Sequence, residues 1–329
     1  MRAYGLQTHI WNNAWKSVLL LAGFPVLLFM LTYGLAALYE AYAGAATSTG
    51  EAFADAGRRS VVFAPFVLIG ALIWFAVAYL GHNAIIKASV GARSVSRKEE
   101  PELYNLLENL SIAAGRTMPK LAIIETDALN AFASGVDDGS YTVTVTRGLM
   151  RSLDKAELEA VLAHELTHIE NRDVRLLIVA VVFVGIFAFI GELAFRSLFR
   201  GGIRLSGGSG RRGDSRGAGL LLIAALIMIA IAYGTALLIR FSLSRRREYL
   251  ADAGAVDLTR NPDAMIGALV KISGRSDFNA PEDVAQMAVE NTAKFAGVFA
   301  THPPTEKRIE ALVAFGGGRR PVAGGPWSQ

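Results

Sequence analysis

Four stretches of this 329-residue chain contain no charged side chain: Ser17–Tyr39, Ser60–Ile86, Leu176–Gly191 and Gly217–Ile239. A bilayer core of about 30 Å takes roughly 20 helical residues. The first, second and fourth stretches, with 23, 27 and 23 residues, are long enough to span, whereas the third has 16 and lengthens only by taking in Glu192 and running to Phe195. Hydrophobic residues make up 52% of the chain and charged residues 19%, with a mean hydropathy of +0.36, against roughly 45–50% and 25% for a soluble protein. The first stretch exceeds the roughly 7–15 apolar residues of a cleavable signal. The pattern predicts an integral membrane protein with two apolar helix pairs.

Cytoplasmic flanks collect Lys and Arg. Arg2 and Lys16 precede the first span, Arg58 and Arg59 separate the two, and Lys87, Arg93, Arg97 and Lys98 follow the second, which places both ends of this hairpin in the cytoplasm. The third and fourth stretches flank Gly201–Arg216, a loop with Arg204, Arg211, Arg212 and Arg216. A spanning second hairpin would put that loop outside, against the charge rule. Gly208, Gly210 and Gly213 spell G-x-G-x-x-G, but a dinucleotide fingerprint needs a preceding strand, so the loop is read as a linker. The net charge of +4 is too small, and too concentrated in this loop, to predict a nucleic-acid partner. Without cysteine, any metal must be held by histidine and carboxylate.

The expected organisation is an N-terminal transmembrane hairpin over residues 1–86 and a second apolar pair over 176–239. A catalytic domain is split between 87–175 and 240–315, and 316–329 form a disordered tail. Helical periodicity covers Glu99–Ala114, Asp154–Asp173, Phe241–Leu258 and Asp263–Ser273; strand-like runs cover Leu121–Glu125, Asn130–Ser134 and Tyr141–Thr146. The fold class is α+β, mainly α, with a small antiparallel sheet in a zincin-like domain.

The chemistry centres on His164-Glu165-Leu166-Thr167-His168. Asp154, three residues before Glu157, resembles a capping box that starts the helix. Residues four apart lie about 40° apart around a helix, so both imidazoles leave one side and can share a Zn²⁺. Glu165 then stands beside the metal as a general base. A third ligand is missing from this segment. Glu248 and Asp252, at i and i+4 on a later helix, offer one carboxylate to ligate and one to hold a ligand histidine from behind.

His164, Glu165 and His168 with Asn171-Arg172-Asp173, then Arg247-Glu248 with Ala251-Asp252, and Thr301-His302-Pro303-Pro304 with Arg308 resemble the HtpX-type membrane zinc metallopeptidases, relatives of the CAAX prenyl proteases. The resemblance covers nearly the whole chain. It implies one Zn²⁺ per chain held by His164, His168 and Glu248, Glu165 as base, and Asp252 behind a ligand. It also implies that His302 and Arg308 approach the substrate or oxyanion, and that Asn130, Ala131 and Phe132 lie on a strand bordering the cleft. The implied activity is a gluzincin-like endopeptidase of the inner membrane, with its catalytic domain in the cytoplasm. Its partners would be the bilayer and unfolded or damaged polypeptides. A prenyl-protein processing protease and a catalytically silent membrane scaffold are the alternatives.

Overall fold

The computed structural model describes residues 23–40, 48–178, 185–186, 223, 226–227, 229–231, 234, 245–273 and 304–319. The expected second apolar pair falls almost entirely outside these residues, as do the Arg/Gly-rich loop, His302 and the tail beyond Arg319. The chain divides into two compact units, one of Ser17–Ala78 and Ala180–Arg240, the other of Met1–Lys16, Tyr79–Val179 and Phe241–Gln329.

In the first unit, α1 (Gly23–Glu40) packs on the early turns of α2 (Thr49–Val90). Ala37 and Leu38 of α1 meet Ala52 and Ala56 of α2, with Tyr33 and Phe53 closing the cluster. Small side chains let the two backbones approach, as apolar helix pairs require where water supplies no driving force. The Tyr33 hydroxyl donates to Phe53 O at 3.1 Å, and the Arg59 guanidinium pairs with the buried Glu40 carboxylate. α2 outruns the predicted span at both ends, and at its start helix-favouring residues such as Glu51, Ala52, Ala54 and Arg58 extend it without a break. Its 42 residues make a rod of about 63 Å at 1.5 Å per residue. Phe66 and Leu80 are 69% and 81% exposed, among many other exposed apolar residues on this helix. A surface of that kind needs an apolar environment or a partner. Both α1 and α2 are long and apolar enough to cross a membrane.

The second unit joins a four-stranded sheet to a set of helices. Its strands are β1 (Arg93–Ser94), β2 (Lys120–Ile124), β3 (Ala131–Ser134) and β4 (Thr142–Thr146), in the order β1-β2-β4-β3. The expected antiparallel sheet is corrected to a mixed one: β2 and β4 run parallel, with Leu121 opposite Val143, while β3 and β4 are antiparallel, with Ala133 opposite Val143. The cause lies in the connection from β2 to β3, which wraps the end of β4. Thr146 Oγ1 donates to Ala128 O at 2.6 Å, and Gly148 N–H donates to Thr126 O at 2.8 Å. β4 thereby enters between its neighbours, and all five of its residues are buried. At the β3–β4 turn, Gly135 has φ +122° and a Cβ there would lie 2.5 Å from Tyr141 Cα, so only glycine fits.

The helices are α3 (Pro101–Ala113), α4 (Arg147–Ser152), α5 (Lys155–Glu170), α6 (Arg245–Thr259), α7 (Pro262–Ile272) and α8 (Thr305–Phe315). α5 is the centre of the unit and touches α3, α6, α7, β3 and β4. The predicted capping box starts it: Asp154 accepts from Glu157 N–H at 2.9 Å, and Glu157 accepts from Asp154 N–H at 2.8 Å. Lys271 of α7 donates to the same buried Glu157 carboxylate at 2.7 Å. α5 and α6 cross closely because position 254 has no side chain: a Cβ there would sit 2.4 Å from Thr167 Cγ2 and 3.1 Å from Thr167 Cβ. Thr167 is β-branched, and its hydroxyl donates to Ala163 O at 2.8 Å, so it cannot swing away freely.

Gly254→Ala should therefore push α6 off α5 and cost about 1–3 kcal/mol of stability by overpacking. Adding Thr167→Ala should restore most of that loss in denaturant unfolding. Equal losses in the single and double variants would show that this crossing is not what limits the packing.

Candidate metal centre and active site

α5 presents His164, Glu165 and His168, and α6 brings Glu248 and Asp252 against them across the Gly254 crossing. His164 Nε2 and His168 Nε2 lie 3.1 Å apart. Glu248 Oε2 is 3.7 Å from the first and Oε1 is 3.7 Å from the second. One ligand atom from each of the three residues falls within 4.8 Å of the others.

The opposite ring nitrogens explain why these atoms converge. His164 Nδ1 is 3.0 Å from Asp252 Oδ1, and His168 Nδ1 is 3.0 Å from Asp173 Oδ2. Where a ring is neutral, a carboxylate behind it favours the proton on Nδ1 and leaves the Nε2 lone pair turned toward the other ring. Two lone pairs 3.1 Å apart repel unless a cation or a proton sits with them. Electrostatics point the same way. Burial alone would lower the His168 pKa, but the carboxylates of Glu248 and Asp173 overcome it and push it up to about 10. His164 is raised in the same manner, with Asp252 and Glu248 outweighing burial. Glu165, Glu248, Asp252 and Asp173 are all buried, and Arg308 and Arg247 are the buried guanidiniums nearby. The carboxylates outnumber the guanidiniums, an imbalance that a cation held by the two Nε2 atoms and Glu248 would offset. A His/His/Glu donor set of this kind fits a metal site that keeps a coordination position for substrate.

Glu165 lies within the electrostatic reach of both histidines and Glu248 and has its pKa raised by burial. Arg308 of α8 is 2% exposed; its Nε and Nη2 donate to the two oxygens of Asp252 at 2.9 and 2.6 Å, and Nη1 is 3.9 Å from Glu248 Oε2. This bidentate grip overrides the effect of burial and holds the Asp252 carboxyl at about 2. Arg308, expected near the oxyanion, is thus turned onto the carboxylates behind the metal position. His168 is the most open of the three candidate ligands, with 12% of its side chain exposed.

Asn130 precedes β3, and Ala131 and Phe132 open it, in a strand that packs on α5. The Phe132 ring packs with Ile86, Val90 and Ile124, so it serves the core and not the cleft. Asn130 Oδ1 accepts from Ala131 N–H at 2.9 Å. Thr146 N–H donates to Asn130 O at 3.0 Å, so 130, 132 and 134 face β4, while 131 and 133 turn their backbone groups to the open edge of β3.

Asp173 is the residue that sequence reasoning left without a role. α5 ends at Asn171, Arg172 takes φ +58°, and a new helical turn begins at 173. That left-handed residue swings Asp173 back under His168. The signal was an Asn-Arg-Asp step right after the helix, whose direction no periodicity reveals.

The sequence model of peptidase family M48 matches residues 97–315. A protease HtpX homologue of Bacteroides fragilis is 43% identical over 327 residues, covering 96% of this chain and 100% of that one. A homologue from Listeria monocytogenes is 39% identical over 257 residues, covering 74% and 84%. One from Ligilactobacillus salivarius is 34% identical over 316 residues, covering 93% and 99%. Among solved structures, S. mikatae Ste24p matches with a TM-score of 0.42 and 19% identity, over 92% of this chain and 66% of that chain. Because the family match takes in both α5 and α6 and the relatives align along most of the chain, this protein belongs to peptidase family M48 and is a metalloprotease.

Proposed function

We propose that this chain is a membrane-anchored, zinc-dependent endopeptidase that cleaves unfolded or damaged polypeptides, membrane proteins included. The observation that carries the reading is the pair of imidazole Nε2 atoms 3.1 Å apart, faced by Glu248 and backed by Asp252 and Asp173. His164, His168 and Glu248 would hold the zinc. When bound, zinc supplies a Lewis acid that acidifies water and polarises the scissile carbonyl.

The remaining work belongs to side chains. Glu165 accepts the proton of the attacking water and returns it to the leaving amine; its burial raises its proton affinity, which suits a base that must also act as an acid. Arg308 holds Asp252 and, through it, His164. His302, outside the described residues, is the candidate for the oxyanion. The outward backbone groups of Ala131 and Ala133 would pair with an extended substrate, which tolerates sequence but requires unfolded chain. The relatives' description as proteases supports the activity, and the exposed apolar length of α2 supports the membrane.

His164 and Glu248 meet at one site although residues 176–239 separate them, so that segment leaves and returns to the same side. The flank from Lys87 to Lys98 favours the cytoplasm for the site, and we favour a second spanning hairpin. Single cysteines at Ser209 and Ser276, labelled on intact cells with an impermeant maleimide, test this. Labelling at Ser209 alone is expected. Protection of both until lysis would favour a re-entrant pair, and labelling at Ser276 would overturn the orientation.

Glu165→Gln should retain stoichiometric zinc yet lower casein hydrolysis by on the order of 10²–10⁴-fold. Turnover near the wild-type level would remove Glu165 from the role of base. His164→Ala and His168→Ala should lose the metal, and phenanthroline should inhibit the wild type. Glu248→Ala should weaken zinc binding more than Asp252→Ala or Asp173→Ala, for which roughly 10–100-fold is expected. A reversed order, read by metal titration, would exchange the ligand and its support.

A further inference from the structure

β3 is an edge strand only four residues long, and short edges are held weakly by their one neighbour. Its position nevertheless matters, because the outward backbone groups of Ala131 and Ala133 form its open edge. What steadies it is the last part of α2. Asn83 Nδ2 donates to Ser140 O at 2.6 Å, and the Ser134 hydroxyl donates to Asn83 Oδ1 at 3.3 Å. Ser134 ends β3, and Ser140 closes the turn that leads into β4. One amide therefore grips both legs of the hairpin where they part. One turn further along α2, Ile86 takes the Phe132 ring into a cluster completed by Val90 and Ile124. The turn beyond the grip is self-contained: Val136 and Asp137 N–H both donate to Ser140 Oγ at 3.0 Å, and Tyr141 N–H donates to Asp137 O at 3.0 Å.

We propose that Asn83 is a positioning residue for hydrolysis: it fixes the open edge of β3 at the height where an extended substrate backbone can pair with it while its cleaved bond lies at Glu165. This rests on the reading of β3 as the substrate edge. Asn83 thus sets the substrate strand from the last part of α2, without touching substrate. An Asn is suited to the task because it donates and accepts at once. Asp at this position would set a carboxylate against the Ser140 carbonyl.

The test uses the full-length, zinc-loaded protein in detergent and two substrates, unfolded casein and a short quenched peptide that fills only the residues around the cleaved bond. Asn83→Ala should raise KM for casein about three- to tenfold, the size expected for one lost hydrogen-bonding group, with kcat, zinc content and KM for the short peptide unchanged. Ser134→Ala should reproduce part of the effect, and the double variant should add less than the two singles together. Asn83→Asp should be no better than Asn83→Ala. If Asn83→Ala leaves KM for casein unaltered, or lowers activity on both substrates in step with a lower thermal midpoint, the positioning role is refuted. If the wild type itself binds both substrates with equal KM, it is the edge-pairing reading that fails, and the inference falls with it.

Discussion

Everything in the catalytic unit answers to a buried excess of negative charge. Glu165, Glu248, Asp252 and Asp173 lie together around two imidazoles, out of reach of water. Such a group is stable only if each carboxylate finds a donor or a cation. Arg308 forks onto Asp252, Asp252 and Asp173 face the two imidazoles, and Glu248 faces the two Nε2 atoms, where a cation would complete the pairing. The same arrangement that makes the site costly to bury empties both Nε2 positions toward one point. Stability and chemistry are thus two aspects of one electrostatic requirement.

That requirement dictates how closely the helices approach. α6 could not bring Glu248 and Asp252 to α5 with a side chain at position 254, since Thr167 occupies the space. α8 is drawn in because the Arg308 side chain must be buried to reach Asp252, and α7 is tied to the start of α5 by Lys271 on Glu157. On the other side, β3 and β4 pack against α5. Each contact joins segments far apart in the chain, so the site assembles only when the whole unit has folded.

The sequence by itself determined the parts whose cause is local. A long uncharged run must be helical and apolar wherever it lies, which is why α2 was legible, though not its full length, because the charged turns before Ser60 are good helix formers in their own right. The capping box of Asp154 and Glu157 and the shared face of His164 and His168 follow from helical geometry alone. Tertiary structure decided what depends on partners distant in sequence. The alternation of Thr and Val in β4 declares a strand but not its neighbours, so the parallel pairing with β2 could not be read. Spacing put Glu248 and Asp252 on one face without saying which would face the two Nε2 atoms and which would sit behind His164 on Arg308. Asp173 reached His168 only because Arg172 adopts a left-handed turn, and Arg308 meets Asp252 because buried charge is satisfied by the nearest opposite charge in space, which a linear sequence does not specify.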